Sequence, residues 1–378
     1  MRKYFIAATL IMLAACKGSE NKPAGISGAT AKKETLHYPQ EKHLKNIRQL
    51  TFGGDNAEAY FSFDNKHLVF QRTTRDEEIP CDQIFTIDLI KPKFKSYNLG
   101  ELYIPDPNNP FPLISTGKGR TTCAYFLPGN DRIIYASTHL ADAACPEEPD
   151  RTKIKKYVWP IYNSYELFIA DTAGNQLKQL TSNNFYDAEA TVSPKGDKIV
   201  FTSNRSGDLE LYTMNIDGSD VRQVTTGLGY DGGAFFSPDG SQLIFRASRP
   251  KTAEEQQEYK ELLAQGLVAP TNMELYVCNV DGSELRQITN LGKANWAPFF
   301  HPSGKKIIFS SNHASETGRL FNLYMINLDG TGLKQITFDQ EFDSFPMFSF
   351  DGKHLVFASN RNNGDTRDTN VFIAEWVD

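Results

Sequence analysis

The chain is poor in the residues that mark the commoner functional classes. Its 378 residues hold 7 histidines, 5 cysteines and 3 tryptophans, and acids outnumber bases for a net charge of −6. A nucleic-acid partner is excluded, because binding phosphates needs a concentrated basic surface and none is visible. No GxSxG elbow followed by Asp and His is present, so no serine-hydrolase domain is attached. The histidines are scattered: His67, His301 and His354 fall near turns, and only His139 and His313 reach the opposite side. No catalytic constellation, resident metal or cofactor is therefore expected. The apolar run that opens the chain is too short to span a membrane.

That opening run still carries information. Residues 1–15 join Arg2 and Lys3 to an apolar stretch and end in Leu13-Ala14-Ala15 before Cys16. They read as an export signal, and the ending resembles the bacterial lipoprotein signal, which implies cleavage before Cys16 and lipid attachment there. Lys17 follows, not the aspartate of the familiar enteric retention rule, so the outer membrane is favoured over the inner. Residues 16–46 then read as the lipidated cysteine and a polar, flexible tether.

From residue 47 to 378 the sequence repeats itself. The stretch Asp187 to Thr225 contains an apolar run, a Ser-Pro-x-Gly turn, two β-rich runs, an Asp-Gly turn and a short last run ending in RQVT. These are four strands of an antiparallel meander, with Pro194 presetting φ and Gly196 taking the positive φ that closes the hairpin. The turn recurs as SPDG, HPSG, SFDG and, weakened, LPGN and SFDN. The closing threonine recurs at Thr51, Thr116, Thr181, Thr225, Thr289 and Thr337. A unit of roughly 40–45 residues is that of a propeller blade, and three copies carry insertions. The expected fold is all-β: a six-bladed β-propeller of four-stranded antiparallel blades. Its first strand, Ile47 to Thr51, completes the last blade beside Asn370 to Trp376 and so hides the edges.

The insertions in the second and fourth blades, His139 to Ser164 and Arg249 to Asn272, open on one face, which is the expected recognition face. Shorter ones at Asn312 to Leu320 and Asn360 to Thr369 fall there too, whereas the first blade carries IPDPNNPFP on the other. Thr252 and Glu255 form a capping box for a helix closed by Gly266. Its apolar stripe of Tyr259, Leu262 and Leu263 either packs on the blade beneath or offers a partner groove. Tyr157, Trp159 and Tyr162 of the other insertion either form a stacking surface or pin the loop.

Two sets of residues recur along the innermost strands. Asp187, Asp231 and Asp343 occur only in copies with Arg205, Arg249 and Arg361 after the second strand, which points to structural ion pairs more than to a cation site. Two residues further along stand Glu58, Cys123, Glu189, Gly233, Ala297 and Phe345. Here Glu58 and Glu189, with Trp296 beside the set and His139 nearby, mark a candidate ligand site at the channel mouth. Once Cys16 is lipidated, a disulfide of Cys81 with Cys145 is expected outside the cytoplasm, with Cys123 as the alternative partner. Cys278 reads as core.

The units SPDG, IFRAS and LYVCNVDGSELRQIT resemble the WD40-like (PD40) repeat of the TolB propeller family, over residues 47–378. In that family the TolB propeller is soluble, follows an α/β domain and engages the peptidoglycan-associated lipoprotein in the periplasm. The resemblance implies a non-enzymatic envelope propeller whose partner is a protein. The expectation is therefore a lipid-anchored binding protein of the bacterial cell envelope that meets an envelope protein through the insertion face. The alternative is a polysaccharide-binding or lyase propeller using the channel mouth.

Overall fold

A computed structural model describes residues 36–74, 79–90, 94–96, 103–105, 111–150, 152–364 and 366–378. These lie in one compact unit, Glu34–Asp378. The signal peptide, Cys16 and the first part of the tether fall outside the described residues, as does the centre of the Pro-rich loop.

Six radial sheets follow one another round a ring. Taking blade three as the pattern, its strands are Asp187–Val192, Lys198–Ser203, Glu210–Asn215 and Arg222–Gln223, paired antiparallel in that order from the channel outwards. The Ser-Pro-x-Gly turn closes the first hairpin as its chemistry requires: the Gly196 N–H donates to the Ser193 carbonyl at 2.8 Å, with φ +72° at Gly196. Asn65 and Asn130 take the same left-handed position in the two weakened copies.

The closing threonine has a specific task. In blade three the Leu211 N–H donates to Thr225 Oγ1 at 2.9 Å, and Leu167, Leu275, Leu323 and Val371 do the same to Thr181, Thr289, Thr337 and Thr51. The hydroxyl thus satisfies a third-strand amide where the short fourth strand runs out. Blade one departs from the expectation. There Ser115 accepts from the Ile84 N–H at 3.0 Å, while Thr116 is exposed. The expected fourth strand of that blade is reduced to a bridge between Phe85 and Leu113.

Closure occurs as the repeat demands. Leu44–Gln49 pairs antiparallel with Asn370–Trp376, from Leu44 opposite Trp376 to Gln49 opposite Phe372. The expected tether ends earlier than residue 46. Glu41 is fully buried, paired with Arg361 and accepting from the Phe338 N–H, Leu36 packs on the core, and Leu44 already belongs to the strand.

The first repeat position of the inner strand makes an ion pair within its own blade in three copies and a bond to the preceding blade in the neutral ones. Arg205 Nη2 contacts both Asp187 carboxylate oxygens at 2.8 and 2.9 Å, Arg249 grips Asp231 with both terminal nitrogens, and Arg361 Nη2 lies 3.0 Å from Asp343. The neutral copies bond directly to the preceding blade's backbone: Asn295 Nδ2 to the Met273 carbonyl, Thr121 Oγ1 to that of Asp82. Each of the three arginines also lies over an aromatic ring of its own blade, 5.0–5.1 Å from the centroid and within cation–π range.

Candidate binding site at the channel mouth

All six inner strands carry the same irregularity. Their register shifts between the second and fifth positions, a β-bulge repeated from Ala57/Tyr60 to Ser344/Met347. The residue at each bulge is left-handed: Glu58, Cys123, Glu189, Gly233, Ala297 and Phe345 have φ between 46° and 60°. A bulge re-aims a side chain, and for five residues with a Cβ the left-handed backbone is strained. The strain is spent turning one residue per blade towards the axis, and all six line a cavity of about 450 Å³ on the insertion side.

The insertions wall this cavity. Trp159–Pro160 of the second-blade insertion pairs antiparallel with Leu267–Val268 of the fourth-blade insertion, and the Ile161 N–H donates to the Gly266 carbonyl at 2.7 Å. Lys156 and Glu258 form an ion pair across the same junction. At its other end the second-blade insertion is tied down by the Cys81–Cys145 disulfide, with Cys81 in the strand Ile79–Asp88. Trp159 sits 5.2 Å from Trp296 and 6.5 Å from Tyr230, centroid to centroid, and Tyr157 lies against Trp296 as well. Tyr157, Trp159 and Tyr162 line the cavity. Below, Tyr60, Tyr125, Phe235 and Phe299 pack edge to face and tilted across the channel, with Tyr60 to Phe235 at 5.4 Å and Phe235 to Phe299 at 5.2 Å.

The chemistry of the floor divides its two glutamates. Glu189 receives four hydrogen-bond partners: Thr202 Oγ1 and Tyr230 Oη at 2.7 Å, the Gly233 N–H at 3.0 Å, and the Arg246 guanidinium. Burial opposes its charge, but Arg246 and these donors outweigh burial and hold its carboxyl below the ordinary value. Arg246 is packed over Trp159 and Tyr230, 5.2 and 5.0 Å from their centroids. The glycine pair Gly232-Gly233 makes the space. A Cβ on Gly233 would come within 1.8 Å of Arg246 Nη1, and one on Gly232 within 2.4 Å of Glu189 Oε2.

Glu58 is served far less well, with the Cys123 thiol as its side-chain hydrogen-bond partner. Its Oε2 is buried without a hydrogen bond, and among the described residues no cation reaches ion-pair distance of it. Burial drives its carboxyl from 4.5 up to about 7, the nearby Glu189 adding to the rise and the Cys123 thiol and Arg246 offsetting part of it. The Cys123 thiol is free, faces the same cavity and is itself pushed well up by burial and by Glu58.

Several expected site residues lie elsewhere. His139 does not line the cavity; its Nδ1 bonds Ser137 Oγ at 2.8 Å and its ring rests 4.5 Å from Phe168, the place that arginines fill in other blades. The helix Ala253–Ala264 has its Thr252–Glu255 capping box, yet Tyr259 is buried and bonded to Asp208, and Leu263 packs on the core. Tyr259 is therefore not partner surface, while Leu262 is half-buried. Arg246 is the residue that sequence reading missed. Its signal was there: Gln71, Ala136, Thr202, Ser310 and Ala358 occupy its place in the other repeats, none of them charged. Among the described residues no group of three or more His, Cys, Asp or Glu is placed to hold a metal.

The ring, the bulges and the walled cavity define a six-bladed propeller with a ligand-sized pocket on its insertion face. Comparison with known families gives it a place: the PD40, TolB beta propeller domain, matches residues 148–265 and 268–367, over half the chain, and the chain belongs to that family. Among solved structures it is similar to a protein described as a TolB from Agrobacterium tumefaciens, at 17% identity and TM-score 0.52, covering 88% of this chain and 97% of that one. It is similar also to oligogalacturonate lyase of Vibrio parahaemolyticus, at 12% identity and TM-score 0.50, covering 87% and 93%. At these identities the likenesses establish the fold alone. No curated protein matches the sequence.

Proposed function

We propose that this chain is a binding propeller of the bacterial envelope, anchored by lipid at Cys16 on the outer membrane, and that it recognises an envelope protein by taking a projecting segment into the insertion-face cavity. The single observation behind this reading is the cavity itself. At about 450 Å³ it falls within the roughly 300–1,000 Å³ of pockets that bind organic groups. Its walls are aromatic, of the kind that dominates interface energetics. Binding is favoured over catalysis because Glu189, the ionised carboxylate, is already saturated by four partners.

The test is capture from detergent-solubilised envelopes by the full-length chain and by a Trp159→Ala/Trp296→Ala variant. A protein retained by the parent and lost by the variant supports the reading. Equal capture by both places the interface elsewhere and overturns it. The facing Trp159 and Trp296 rings also suit stacking on sugars, so binding of envelope glycans with no captured protein would replace the protein partner by a polysaccharide.

A further inference from the structure

The cavity's charges are not evenly matched. Of its cations, Arg246 is held by Glu189 and Tyr230, and Arg120 by Asp82 and Glu148. Glu58 is left without a cation among the described residues, with Oε2 buried and unbonded, at the end of a strained bulge that aims it at the cavity. A buried carboxylate in that state lacks a donor that water or a ligand must supply.

The same cavity is lined by π-faces and phenols. Tyr60 follows two residues on, and Tyr165, Tyr186, Tyr230 and Trp296 complete the wall. Burial keeps the Tyr165, Tyr186 and Tyr230 hydroxyls far above their ordinary value, so they are neutral. A carboxylate flanked by aromatic faces is the arrangement that holds an organic cation. It does not suit an anion, since both guanidiniums are engaged. Nor does it suit a bare divalent ion, which asks for six or more oxygen ligands at short range.

We infer that the cavity is a receptor for an alkylammonium group, with Glu58 as its counter-ion and the tyrosine and tryptophan faces as its cage. The inference rests on the proposed binding role and names its ligand chemistry: a lysine side chain or amino terminus of a partner chain, or a free amine of the same shape. An entering ammonium donates to the Glu58 carboxylate and holds it ionised. Binding is consequently linked to proton release, with Glu189, Arg246, Cys123, Asp82 and Tyr60 as the titratable or charged neighbours facing Glu58.

Calorimetry on the full-length chain in detergent tests this with four probes: end-blocked Gly-Lys-Gly, the same peptide acetylated on lysine, triglycine with a free amino terminus, and n-butylammonium. At pH 8 at least one ammonium probe binds and the acetylated peptide binds at least tenfold more weakly. Which ammonium binds best tells side chain, terminus and free amine apart. Affinity falls at least tenfold between pH 8 and pH 5 as Glu58 takes up its proton, and Glu58→Gln removes both the affinity and its pH dependence. The wild-type pH profile serves if that variant does not fold. Equal binding of charged and acetylated peptides, or no binding of any ammonium probe, overturns the inference. Protein capture that survives such a result leaves the binding role intact with a different ligand chemistry. Amine binding without capture does the reverse.

Discussion

At the residue scale, Glu58 and Glu189 have the same side chain at the same bulge and opposite electrostatics. The difference is Arg246 and the two glycines that admit it. Because the folded protein raises the Glu58 carboxyl from 4.5 to about 7, it binds that proton more tightly than the unfolded chain does. Glu58 therefore costs nothing below pH 4.5, destabilises progressively as pH rises through 7, and costs a constant amount above. Glu58→Gln should match the parent at pH 4.5 in urea unfolding and exceed it at pH 8 by on the order of 2 kcal/mol, the shift discounted for water in the cavity. A parent-to-variant difference that does not change with pH would mean that Glu58 is ordinarily solvated.

At the element scale, the inner-strand bulge sets the site, and its strain is measurable where the residue contributes least. Ala297 sits at φ +47°, so Ala297→Gly removes a left-handed penalty of roughly 1–2 kcal/mol, less the added entropy of glycine in the unfolded chain. A net gain of about 0.5–1 kcal/mol is expected in denaturant unfolding, whereas a loss would show that the bulge is relaxed. The repeat made the blades, their turns and their closure legible, since each rests on local turn chemistry or on a recurring threonine. The bulge was not legible, because no residue type announces it: Glu, Cys, Gly, Ala and Phe all occupy it. What the sequence did show was irregularity at that position, and irregularity within a repeat marked the cavity-facing ring. Tyr259 and His139 misled because a stripe or a histidine in an insertion reads the same whether it is buried at home or offered outwards. Only packing against Asp208 and Phe168 decides. Arg246 was overlooked because its strand position is framework in the other blades.

At the scale of the whole molecule, six repeats build one asymmetric face. The ring is closed by Leu44–Gln49, its blades braced internally by Asp–Arg pairs and tied to one another by Asn–backbone contacts, while two insertions join by strand pairing to wall a cavity whose floor carries one carboxylate without a cation among the described residues. Recognition of the proposed envelope partner should then be confined to that rim. The direct test places a photo-crosslinking residue at Tyr157, 47% exposed on the rim, or at Leu177, 53% exposed on the outer strand of blade two, in the full-length chain in living cells. The account predicts a crosslink to an envelope protein from Tyr157, abolished by Trp159→Ala and absent from Leu177. Equal crosslinking from both positions, or a Tyr157 adduct indifferent to Trp159, would contradict it.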